Sequence, residues 1–221
     1  MRKEWNKLIV ALDLEDRARI REVVRKLSPQ GVKFKIGSIA FTKFGPALIR
    51  EFVDKGIDIF LDLKLHDIPN TMKRTAAIIT QMKCWAFTVH LSSGVEALAQ
   101  VKKEIAAASK KYRLRKPLIL GVSVLTSQKS TKAAVMKLAE RASKVGLDGV
   151  VASPKEVKLI KSRYENLRVI TPGIRAYSDK LGDQKRVGTA QYAFNQGVDY
   201  IVVGRPIVEK RDCFRAAEDI L

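Results

Sequence analysis

A (β/α)8 barrel is the fold class that the sequence predicts, on three observations. Eight short apolar runs with β character recur along the 221 residues, and segments with helical periodicity separate them. Such alternation implies parallel pairing, whose natural closed form is a barrel; the length is near the compact end of the roughly 200 to more than 400 residues that barrels span. No Pro/Gly/Ser-rich linker, low-complexity stretch or compositional break divides the chain, so one domain over residues 1–221 is expected. An open doubly wound sheet is the runner-up, but no Gly-x-Gly-x-x-Gly fingerprint follows the first strand.

The strand candidates are Leu8–Leu12, Val32–Ile36, Ile57–Lys64, Ala86–His90, Leu118–Val124, Gly149–Ala152, Arg168–Thr171 and Tyr200–Val203. Seven intervening segments have room for helices, and the tail after Pro206 supplies an eighth. In "IPNTMKRTAAIITQMK", Pro69 or Asn70 stands near the helix start. In "STKAAVMKLAERASKVG", Ser130 or Thr131 caps the start, Val135, Leu138, Ala139, Ala142 and Val145 form the apolar stripe, and Gly146 ends it.

Apolar content of 46% and charged content of 29% are those of a globular protein. No apolar run approaches the ~20 residues that cross a bilayer. The start "MRKEWNKLIVALDL" lacks the apolar core and small-residue cleavage site of a signal peptide, so a cytoplasmic location is expected. Cys84 and Cys213 are too few for a disulfide framework, and with only His66 and His90 as further soft ligands no metal site is expected. The formal charge of +19 favours anionic partners, nucleic acid among them. The basic residues are nevertheless spread among acids and apolar residues at helical spacing, so nucleic-acid binding is not expected.

The third run carries the chemistry. In "DIFLDLKLHDIPNTM" (58–72), Phe60, Asp62 and Lys64 share one strand face, and Leu61, Leu63 and Leu65 share the other. With the leucines packed on helices, Asp62 and Lys64 point into the barrel near its C-terminal mouth, where barrel active sites sit. Asp67 falls on the following loop. Lys35 near the end of the second run and Asp13 at the end of the first extend the set into alternating charges. An ion-pair network of purely structural value would show the same spacing, but buried ion pairs stabilise weakly, which favours a functional reading.

The other end of the site reads as a phosphate cradle. About seventeen residues from Pro172 to Gly188 lack a regular pattern, long for a barrel connection, and carry Gly173, Arg175, Asp183, Gln184, Lys185 and Arg186. The eighth run ends in "VVGRPI", where Gly204 lets backbone approach a ligand and Arg205 begins a helix. Loops after strands seven and eight are the recurrent phosphate site of barrels.

Six strings occur in order: "KIG" at 35–37, "DLKLHDIPNT" at 62–71, "LTS" at 125–127, "TPGIR" at 171–175, "GDQ" at 182–184 and "VGRP" at 203–206. Together they resemble the orotidine 5′-phosphate decarboxylase family, and the similarity runs from Val10 to Pro206. The resemblance implies decarboxylation of orotidine 5′-monophosphate to uridine 5′-monophosphate, the last step of pyrimidine synthesis, with no cofactor or metal. It further implies a homodimer with sites at the subunit interface. On this resemblance Lys64 donates the proton to C6 and Asp62 lies beside the departing carboxylate. Asp67, Ile68 and Thr71 reach into the partner's site. Lys35 and Asp13 hold ribose hydroxyls, with Lys35 also orienting Asp62, and Thr126 contacts the pyrimidine edge with Ser127. Gln184 and Arg205 hold the phosphate, helped by backbone at Gly173 and Gly204, with Pro172 near the base. Two alternatives stand beside this reading. One is another phosphate-binding barrel, a magnesium-using sugar-phosphate decarboxylase or hexulose-phosphate synthase; the other is a non-catalytic nucleic-acid-binding barrel suggested by charge alone.

Overall fold

The computed structural model describes residues 4–122, 131–174 and 188–221. Within them eight parallel strands close into a barrel in chain order. They are β1 (Leu8–Ala11), β2 (Lys33–Gly37), β3 (Ile59–Leu65), β4 (Ala86–His90), β5 (Leu118–Val122), β6 (Gly149–Val151), β7 (Arg168–Pro172) and β8 (Tyr200–Val203). Closure is made where β1 meets β8, with Leu8 opposite Ile201 and Val10 opposite Val203. All eight expected runs are strands: two have the expected bounds, five differ by a residue or two at an end, and the expected end of the fifth at 123–124 lies outside the described residues.

Alternation along each strand divides the apolar residues into two layers. Val10, Phe34, Ile36, Leu61, Phe87, Val89, Val150 and Val203 face outward into the layer beneath the helices. Ile9, Ala11, Phe60, Ala86, Leu120, Ile170 and Val202 fill the barrel. Burial on both faces is why these strands read as nearly unbroken apolar runs.

The helices are α1 (Arg17–Leu27), α2 (Ser38–Val53), α3 (Pro69–Gln81), α4 (Gly94–Tyr112), α5 (Lys132–Val145), α6 (Val157–Lys161), α7 (Ala190–Asn195), α8 (Arg205–Val208) and α9 (Cys213–Ile220). Thr131 caps α5 by accepting the Ala134 N–H, and Gly146 ends it in the left-handed region at φ 72°. Val135, Ala139 and Ala142 of its stripe are buried. Pro69 occupies the first position of α3, behind Ile68. α2 is broken at Gly45, φ 61°, and resumes through Pro46, which has no amide hydrogen to donate. The tail from Arg205 onward forms two short helices rather than one, because Asp212 caps a fresh start by accepting the Phe214 and Arg215 amides.

The N-terminal end of the barrel is closed by aromatic rings around one cation. Lys33 Nζ lies 5.3 Å from the Trp85 ring centre and 5.4 Å from that of Tyr200, and donates to the Asn6 carbonyl at 3.2 Å. Trp85 and Tyr200 meet edge to face at 5.1 Å. Burial pushes the pKa of Lys33 down despite the nearby Asp58 carboxylate. With this floor in place, the charged ends of β1, β2 and β3 stand at the opposite mouth.

Candidate active site

Four charged side chains from three adjacent strand ends meet at that mouth. Asp13 follows β1, Lys35 lies on β2, and Asp62 and Lys64 lie on β3. Lys35 Nζ donates to Asp13 Oδ1 at 3.0 Å and Oδ2 at 3.1 Å, and stands 3.4 Å from Asp62 Oδ2. Lys64 Nζ donates to Asp62 Oδ1 at 3.0 Å. Signs therefore alternate along the row Asp13, Lys35, Asp62, Lys64, as the sequence predicts. The inner members are shielded, with Lys35 and Asp62 side chains 11% and 13% exposed. The outer members open to solvent, Lys64 at 39% and Asp13 at 41%. A ligand at the mouth thus meets a free ammonium face and a carboxylate whose positions are fixed from below.

Electrostatics keep the inner carboxylate charged. Burial alone would raise the pKa of Asp62, but the Lys35 and Lys64 charges and the hydrogen bonds from Lys64 and Thr88 outweigh it and leave the pKa below the ordinary value. Gly37 leaves room for the Lys35–Asp13 pair. A Cβ there would stand 2.6 Å from Asp13 Oδ1 and 2.9 Å from Lys35 Nζ, distances that require one of them to move.

The backbone of Lys64 was not foreseen. It adopts φ 52°, in the left-handed region that β strands exclude and side chains disfavour by about 1–3 kcal/mol. The ladder shows the cause. Leu61 pairs with Phe87 and Leu65 with Val89, so three residues of β3, 62–64, stand against Thr88 alone of β4. The displaced Lys64 N–H donates instead to Thr88 Oγ1 at 2.8 Å, and the Thr88 hydroxyl lies 3.0 Å from Asp62 Oδ1. Thr88 sits mid-strand at 1% exposure. One threonine within an apolar run gives no periodic signal, so only the pairing of the strands exposes it.

Two imidazoles stand beside the cluster. His66 and His90 stack at 4.9 Å, and Ser92 Oγ lies 2.6 Å from His90 Nδ1 and 3.4 Å from His66 Nε2. Burial, then the charges of His66 and Lys64, lower the pKa of His90. Both rings are held in contacts of their own, consistent with a structural role. No cluster of three or more potential metal ligands occurs among the described residues.

The remaining expected residues divide three ways. Asp67 does not join the row within this chain: it is exposed, and its Oδ1 accepts the Ile68 N–H at 2.6 Å. Ile68 and Thr71 are exposed on the same turn. Pro172 ends β7, Gly173 turns left-handed at φ 79°, and Gly204 and Arg205 follow β8, all at the end of the barrel that carries the row. A Cβ on Gly204 would lie 3.4 Å from that of Ala11, in ordinary contact with the end of β1. Thr126, Ser127 and Gln184 lie outside the described residues, as does the connection at 175–187.

Residues 6–220 match the family model for orotidine 5′-phosphate decarboxylase / HUMPS. The chain is 39% identical over 215 residues to the orotidine 5′-phosphate decarboxylase of Pseudoalteromonas translucida, covering 92% of this chain and 90% of that protein. To the enzyme of the same name from Coxiella burnetii it is 38% identical over 232 residues, covering 100% and 97%. The crystal structure of orotidine 5′-phosphate decarboxylase from Lactobacillus acidophilus superposes with a TM-score of 0.83 at 32% identity, over 96% of each chain.

Proposed function

The chain belongs to the orotidine 5′-phosphate decarboxylase / HUMPS family, and on that premise we propose that it converts orotidine 5′-monophosphate to uridine 5′-monophosphate and CO2. It is a decarboxylase, a carbon–carbon lyase of the pyrimidine pathway. The observation that carries the mechanism is the alternating row at the mouth, with the Lys64 ammonium held by Asp62 and Asp62 flanked by Lys35.

Cleavage of the bond from C6 to the carboxylate carbon leaves the electron pair in an orbital of C6 that the ring π-system does not delocalise. The protein must therefore stabilise that charge by position. A fixed ammonium beside C6 does so without reorganising at the moment of reaction. As CO2 departs, an Nζ–H proton of Lys64 moves to C6, and water later returns a proton to the amine. Asp62 holds Lys64 in place and stands next to the leaving carboxylate. Lys35 and Asp13 take the ribose hydroxyls, with Lys35 also fixing Asp62 from below. Thr126 and Ser127 meet the pyrimidine edge and Pro172 lies near the base. Gln184, Arg205 and backbone at Gly173 and Gly204 hold the phosphate. Binding energy from that remote group favours the transition state.

The working unit we propose is a cytoplasmic homodimer of single catalytic domains, with Asp67, Ile68 and Thr71 reaching into the partner's site. Support comes from large apolar side chains left exposed on the turn before α3 and on the neighbouring helices α3 and α4: Ile68 at 65%, Ile78 at 58% and Val95 at 52%. No helix among the described residues is long and apolar enough to cross a membrane.

Absorbance of purified protein mixed with orotidine monophosphate, with and without chelator, tests the function. Turnover in chelator and its loss in a folded Lys64→Ala variant are expected. A strict magnesium requirement, or full activity of Lys64→Ala, would overturn the assignment.

A further inference from the structure

The Thr88 hydroxyl makes two contacts, and its chemistry fixes the direction of both. The Lys64 backbone N–H can only donate, so at 2.8 Å Thr88 Oγ1 accepts. Its single hydroxyl proton is then free for Asp62 Oδ1 at 3.0 Å, which also accepts from Lys64 Nζ at 3.0 Å. A closed circuit results: Lys64 backbone to Thr88, Thr88 to Asp62, and Asp62 to the Lys64 side chain.

We infer that Thr88 is a positioning residue for the reaction, holding Lys64 at both its backbone and, through Asp62, its ammonium. This inference rests on the decarboxylase reading given above. Three geometric observations support it. Lys64 lies at φ 52°, a backbone conformation that side chains disfavour. The shifted pairing between Leu61–Phe87 and Leu65–Val89 removes the regular ladder there, and Thr88 supplies the replacement bond. Thr88 is 1% exposed, so no bulk water competes for either contact. The hydroxyl also stands among the groups that keep Asp62 ionised.

Thr88→Val keeps the shape and removes the hydroxyl; Thr88→Ser keeps the hydroxyl. In the valine variant kcat should fall about 10- to 100-fold, as small displacements of reacting groups do, while KM changes little. The acid limb of its pH–rate profile should move to higher pH, because Asp62 loses a hydrogen bond to its charged form. The serine variant should restore kcat to within a few-fold and return the limb to its wild-type position. A merely structural threonine would lower thermal stability and the active fraction without moving the limb. Should the valine variant fail to fold, Thr88→Ala is read by the same two measurements. Wild-type kcat with an unshifted limb in the valine or alanine variant overturns the inference, as does equal loss in the serine variant. Failure of the wild-type chain to decarboxylate orotidine monophosphate would instead overturn the functional reading beneath it.

Discussion

Gly37 and His90 each carry a consequence that one substitution exposes, and Asp62 one that pH exposes. Gly37→Ala places a methyl within 3 Å of both members of the Lys35–Asp13 pair. Activity should drop at least roughly tenfold through displacement of Lys35 from Asp62, with a smaller loss of stability, since the new Cβ would meet the ends of two side chains rather than backbone. Steady-state kinetics beside a thermal melt separate the two. Asp62 is an acid whose folded pKa lies below its ordinary 3.8. Its stabilisation is complete above that value and is lost as pH falls below it toward the folded pKa. His90 is a base whose folded pKa lies below its ordinary 6.5. The unfolded chain therefore takes up the proton first, and stability declines as pH drops below 6.5. Urea titrations at a series of pH values should show this shallow decline, reduced in His90→Gln. The charges were legible in sequence because alternation placed Asp62 and Lys64 on one face. The left-handed turn of Lys64 and the bond to Thr88 were not, because both arise from pairing with a neighbouring strand.

Elements were legible where burial imposes a period. All eight strands are legible because each carries an apolar run buried beneath the helices, and α5 is legible from its cap, stripe and terminal glycine together. Gly146→Ala should cost about 1 kcal/mol in urea unfolding, since φ 72° disfavours a side chain and the new Cβ would meet the flexible Lys102 amine. Thr131→Ala should cost a similar ~1 kcal/mol by leaving the Ala134 amide without its cap. Less visible were the break in α2, the five-residue α6 and the division of the tail into α8 and α9. Each depends on where a turn finds partners for its backbone, which hydrophobic period does not report. Asp67 illustrates a different limit: its place in the partner's site follows from the resemblance, and within one chain its Oδ1 accepts the Ile68 amide.

Across the whole molecule the charge is uneven. Residues 101–122 and 131–168 contain sixteen Lys and Arg against five Asp and Glu, whereas 4–100 contain fifteen against eleven and 188–221 four against five. Reversing Lys102, Lys103, Lys110 and Lys111, all exposed on α4, to Glu should sharply lower the salt needed for elution from a cation exchanger. Turnover should change less than roughly twofold, because these side chains stand on an outer helix away from the mouth. The proposed dimer makes a stronger demand. Lys64→Ala and Asp67→Asn should each be nearly inactive alone, and an equal mixture after subunit exchange should regain about a quarter of native activity if the two residues come from different chains. No regain on mixing would place Asp67 in its own chain's site. The barrel floor offers a final opportunity, optical rather than chemical. The two tryptophans report on different places: Trp85 lies among Phe60, Tyr200 and the Lys33 cation, while Trp5 stacks at 5.3 Å on Phe214 of α9. Emission from a Trp5→Phe variant therefore follows the interior of the barrel alone, and emission from Trp85→Phe follows the docking of the last helix. Comparing their denaturation midpoints would time the undocking of the chain's end against the collapse of its centre.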